Sequence, residues 1–200
     1  MARTSSWMIA LLAAAALLPG LRANAQDSWT ENTTRKAVAV CVHQGSGVEA
    51  MIAEARAAGW PAFEKKTLAS GLEIYSSFNT RAPISRTSPF VALQVGLKTD
   101  IYPGLGRLRQ QTCNIGPPVS QKALMISDLD ATFPGFSNSP AQWVGVRGQN
   151  GRITQLKGVG AAQLQQSINR LAVDEGLVWV ELNEEQGALF GTVRLYQKLP

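Results

Sequence analysis

The spacing of apolar and polar residues changes several times along this chain, and each change marks an element. The first stretch is neither a helix face nor a strand. Residues Trp7 to Leu18 form a short apolar run behind Arg3, broken by Pro19 and Gly20 and followed by Ala23-Asn24-Ala25. That is the layout of a secretory signal peptide over residues 1–25, cut after Ala25. The run falls short of the roughly 20 apolar residues a membrane-spanning helix needs. Next, Ser28-Trp29-Thr30-Glu31 has capping-box spacing, and Lys36 to Val42 continues as a helix. Ser46-Gly47-Val48-Glu49 repeats that spacing, Val48, Met51, Ile52 and Ala55 recur at helical intervals, and Gly59 stands where a helix-ending glycine belongs.

The period then drops to two. Leu72 to Phe78 is rich in β-formers, and Phe90 to Lys98 alternates, with Val91, Leu93, Val95 and Leu97 on one face. Pro103, Gly104 and Gly106 predict a turn, and Arg107 to Ile115 returns as a polar strand. Pro117 and Pro118 suit the start of a helix over Ser120 to Phe133, where Met125, Leu129 and Phe133 stand four apart. Gln142 to Val146 and Arg152 to Leu156 flank Gln149-Asn150-Gly151, a hairpin signal. Ala161 to Val173 predicts another helix, and Leu177 to Leu182 with Ala188 to Tyr196 a last hairpin across Glu184 to Gly187.

Helix, strand, turn, strand thus occurs twice, over 117–158 and 159–200. Trp143 and Trp179 stand 36 residues apart, as do Gly151 and Gly187, the spacing of a degenerate helix–hairpin repeat with 26–116 as a more distant copy. The expectation is one α+β domain over 26–200, an antiparallel sheet of hairpins with helices packed on one face. Cleavage after Ala25 would leave 175 of the 200 residues, enough for a substantial core.

Charge and cysteines change this picture in two ways. Arg3 and Arg22 leave with the leader, lowering the formal charge from +5 to +3. Residues 26–122 carry eleven Lys/Arg against seven Asp/Glu, and residues 123–200 carry six against seven. Mild basicity in one half permits an anionic partner without demanding one, and no nucleic-acid partner is expected. After the leader only Cys41 and Cys113 remain as cysteines. In an oxidising compartment they read as a disulfide closing a loop of about 72 residues. The rival is a reactive thiol beside His43, but residues two apart on a helix do not face each other.

Asp128-Leu129-Asp130-Ala131-Thr132, after Leu124 to Ser127, is similar to the first motif of the haloacid-dehalogenase-like phosphatases, Asp-x-Asp-x-Thr behind an apolar strand. The resemblance implies Asp128 as nucleophile, Asp130 as acid/base and a Mg²⁺ beside them. The competing reading makes the same stretch the end of a helix, with Met125, Leu129 and Phe133 inward and both aspartates outward; a weak Ca²⁺ site is a third. His43, the only histidine, would have to serve any Ser-His-Asp triad, with Ser46 nearby, but no Gly-x-Ser-x-Gly elbow exists. A histidine at a helix terminus, meeting the helix dipole, accounts for it more simply. Gly104-Leu105-Gly106 and Gly158-Val159-Gly160 lack the third glycine of a dinucleotide fingerprint and read as turns. No metal site or cofactor is expected.

Arg81, Arg86, Lys98, Arg107 and Arg109, interleaved with Tyr75, Phe78, Phe90 and Tyr102, make a basic and aromatic segment of the kind that binds anionic glycans, lipids or nucleic acid, and Arg81, Arg86, Arg107 and Arg109 are the candidates for holding an anionic envelope polymer. Solvated strand faces are the alternative. Trp60, Trp143 and Trp179 stand near strand starts and read as packing residues rather than sugar platforms.

One wider resemblance remains. A signal peptide, a Cys41-bearing helix, Gly59-Trp60 after a helix, and a Cys113-Asn114-Ile115 strand followed by a helix resemble small exported proteobacterial proteins of unknown function. That resemblance implies a disulfide-closed α+β module and transfers no active site. The expected role is a periplasmic or secreted, non-enzymatic envelope or interaction module. Its partner would be an envelope protein or an anionic polymer.

Overall fold

The computed structural model describes residues 18–43, 47–80, 90–102, 106–148, 150–156, 176–185 and 188–199, with side-chain surroundings from Ser28 onward. The fold is α+β. Among the described residues, eight strands form one antiparallel sheet, and three helices carry buried residues into the core on one of its faces. The helices are α1 (Leu18–Val42), α2 (Val48–Ala57) and α3 (Lys122–Thr132). The strands are β1 (Glu64–Thr67), β2 (Glu73–Thr80), β3 (Phe90–Tyr102), β4 (Gly106–Gly116), β5 (Trp143–Arg147), β6 (Ile153–Gln155), β7 (Leu177–Glu185) and β8 (Ala188–Lys198). Their order across the sheet is β1-β2-β3-β4-β8-β7-β5-β6. The last strand therefore inserts beside β4, so the sheet runs unbroken through all three stretches of chain.

The helix face of the sheet is the apolar one. Val91, Leu93 and Val95 of β3, Cys113 and Ile115 of β4, and Leu189, Val193 and Leu195 of β8 share one buried cluster with Cys41, Met51, Met125 and Leu129 from the helices. In α1 the buried positions are Thr30, Thr33, Thr34, Ala37, Val38, Val40 and Cys41, a helical stripe whose first half is polar. The capping-box spacing at Ser28 does not mark the helix start. The helix already runs from Leu18, and Thr33 Oγ1 donates back to the Trp29 carbonyl at 2.8 Å. The second capping box is also revised: Gly47 (φ 91°) is the N-cap residue of α2, with no side-chain cap.

α3 follows the expected pattern, with Met125, Leu129 and Phe133 fully buried. Phe133 packs on Trp143, their ring centroids 5.2 Å apart. The Trp143 ring lies over Gly145, where a Cβ would collide with it, so glycine is required there. The Asn150-Gly151 hairpin forms as expected, with Gly148 N donating to Arg152 O at 2.9 Å. The short all-exposed strand β1 has no counterpart in the sequence reading. β7 runs to Glu185 and β8 starts at Ala188, a tighter connection than the turn expected over Glu184 to Gly187. Trp143 pairs with Val180 and Trp179 with Val144, so the two tryptophans point to opposite faces. Their 36-residue spacing does not carry into equivalent side-chain positions. The helix expected over Ala161 to Val173 and the Gly158-Val159-Gly160 turn lie outside the described residues. Among the described residues no helix is long and apolar enough to cross a membrane.

Candidate functional site

Cys41 and Cys113 are joined as a disulfide, with Cα atoms 5.3 Å apart and both residues fully buried. The bond ties the last turn of α1 to the centre of β4, where Cys113 pairs with Val95 on one side and Val193 on the other. It closes 72 residues of chain. In the chain-entropy model a loop of that length contributes about 4 kcal/mol.

Asp128 and Asp130 stand two apart on a helix, not on a strand end, and they are tied to different groups. Asp128 turns toward α1, where Arg35 Nη1 lies 3.6 Å from its Oδ1 and the same guanidinium also meets Glu31 at 3.0 Å. Its side chain is only 17% exposed, and Oδ2 is buried without a hydrogen-bond partner. Burial raises its pKa above the ordinary value, and the Arg35 charge offsets this only in part. The outward orientation expected of both aspartates is therefore revised for Asp128. Asp130 Oδ1 accepts from the Ser137 backbone N–H at 2.7 Å, and this bond, with further ones to the Ser137 side chain and the Gly135 backbone, lowers its pKa. One carboxylate bridges helices and the other fixes the turn after α3. They do not converge on a common reacting point.

His43 lies at the end of α1, where its Nδ1 meets Glu54 Oε1 of α2 at 2.6 Å on the surface. The sequence reading missed Glu54 as its partner, because the two residues approach only once α1 and α2 pack. Among the described residues, no three His, Cys, Asp or Glu side chains gather into a group that could hold a metal ion.

Trp60 and Trp143 are buried packing residues, as expected. Trp179 differs. On the sheet face away from the helices, the Arg194 guanidinium stacks 4.8 Å from its ring centroid and pairs with Glu181 at 2.7 Å. Trp179 Nε1 and Arg194 Nη1 are buried donors without partners. Beside them runs a polar ladder in which Asn114 donates to Gln94 at 2.9 Å and Gln94 to Ser76 at 3.0 Å. Only the cross-strand register, Trp179 opposite Arg194, brings this cluster together, and that register depends on where the β7–β8 turn falls.

Of the four arginines in the candidate anionic surface, Arg81 and Arg86 lie outside the described residues. Arg107 and Arg109 are exposed on one face of β4, opposite Ile101 and Thr99 of β3. Comparison with protein families, curated proteins and solved structures finds no match for this chain.

Proposed function

We propose that this chain is exported, cleaved after Ala25, and works outside the cytoplasm as a non-enzymatic interaction module of the cell envelope. The observation that carries this reading is the fully buried Cys41–Cys113 disulfide. Such bonds persist in oxidising compartments and are rare in the cytosol. The apolar run and small-residue site at the N-terminus agree with that location. The carboxylates at Asp128 and Asp130 have structural employment, which favours a role in binding over hydrolysis. Fractionation of the source cells tests the reading. The account expects the protein in the periplasmic or secreted fraction; recovery in the cytoplasm with its N-terminus intact contradicts it.

A further inference from the structure

The hairpin of β3 and β4 outreaches its neighbour. β2 pairs with β3 only as far as Leu97, opposite Glu73, so residues 98–102 continue for about 16 Å without a strand on that side among the described residues. On the face that β3 and β4 share with the helices, this extension carries Thr99 and Ile101 from one strand and Arg109 and Arg107 from the other, in direct cross-strand register. Thr99 is exposed there. Ile101 is 81% exposed, the most exposed large apolar residue among those described. Arg107 and Arg109 are exposed and have no ion-pair partner among the described residues. On the other face Lys98 is already matched by Asp100, and Lys198 stands exposed opposite Leu108. Among the described residues, the extension is therefore a cationic tip with one exposed large apolar side chain, Ile101, directly across from Arg107 and diagonal to Arg109.

We infer that this tip docks on an anionic lipid surface, with Arg107 and Arg109 on headgroup phosphates and Ile101 entering the acyl boundary beneath them. A soluble polyanion would satisfy the arginines but would offer nothing to Ile101. A lipid interface satisfies both. The inference adds a ligand to the envelope reading and rests on it for location only, since the binding itself is measured on purified protein.

The experiment is co-sedimentation of the purified, oxidised chain with vesicles of phosphatidylcholine alone or mixed with phosphatidylglycerol, in the same N-terminal form for every variant. The expected result is association with the anionic vesicles only, weakening as salt rises. The Arg107→Ser, Arg109→Ser double variant should lose roughly thirtyfold in affinity, at about fivefold per cation. Ile101→Ser should lose about fivefold, and Phe190→Ser, exposed at the opposite end of the sheet, should lose nothing. Equal binding to neutral vesicles overturns the inference, as does an arginine double variant that binds like the parent chain. Unchanged vesicle binding by Ile101→Ser also overturns it, because the tip would then be reading charge alone, as for a polyanion. Failure here with the protein still found outside the cytoplasm would leave the location standing.

Discussion

The two long hairpins at the centre of the sheet, β3–β4 and β7–β8, meet along the β4–β8 pairing and are secured by different means. The first is stapled: Cys113 joins it covalently to α1. The second has no covalent tie and is held by packing, with Leu182, Leu189, Val193 and Leu195 buried in the core that Met125 and Leu129 of α3 enter. Their ends differ too. Arg107 and Arg109 at the first end have no ion-pair partner among the described residues, whereas at the second Glu184 is held by Lys122 of α3 at 2.8 Å and Glu181 by Arg194 at 2.7 Å. One hairpin is rigidly anchored at its middle and chemically open at its tip, and the other is neutralised within the fold. A binding surface placed on a stapled element keeps its shape without needing its own side chains for support.

The sharpest way to break this contrast is to remove the staple. Replacing both cysteines, Cys41→Ser with Cys113→Ser, should cost about 4 kcal/mol in chemical denaturation, a large fraction of the stability of a domain this size. A cost near zero would mean that packing alone holds the first hairpin, as it does the second. Leu189→Ala, at a position 1% exposed in the buried cluster, should cost about 3 kcal/mol by the same measurement. If it cost little, the second hairpin would have some other anchor.

The smallest effect concerns α3 and shows itself through pH. Asp130 is held below the ordinary carboxylate value of 3.8, so its contribution is complete above that value and is lost as pH falls through its folded pKa. Asp130→Asn should be less stable than the parent at neutral pH, with a shallower loss in acid. Asp128 has the opposite sign. Burial raises its pKa, so ionising it costs stability as pH climbs from the ordinary value through the folded one. Asp128→Asn should be at least as stable as the parent at neutral pH and unchanged in acid. Thermal unfolding between acid and neutral pH separates the two variants; identical profiles would contradict the assigned roles.

Much of the fold is legible in the sequence wherever period and burial agree. Val91, Leu93 and Val95 alternate and are buried, and Met125, Leu129 and Phe133 stand four apart and are buried. Legibility fails where polar residues point inward. Thr30, Thr33 and Thr34 line the buried stripe of α1, where hydropathy shows no inward face, and the capping-box spacing at Ser28 falls inside a helix that runs from Leu18. It fails again at β1, whose Glu-Lys-Lys-Thr is wholly exposed and is a strand only because β2 lies beside it. The candidate chemistry was less visible still. The Asp-x-Asp-x-Thr string matches a motif in one dimension, but its two carboxylates are separated by what each meets in three: Arg35 on α1 for one, the Ser137 amide for the other. The stacking of Arg194 on Trp179 depends on strand register, which composition does not encode.

The intact mass of the protein isolated from its native cells, with and without reduction and alkylation, tests the central claim most directly. The isolated protein should begin at Gln26, be two hydrogens lighter than its reduced form, and take up alkyl groups at Cys41 and Cys113 only after reduction. A chain that retains Met1 to Ala25 and alkylates at both cysteines without reductant would contradict it.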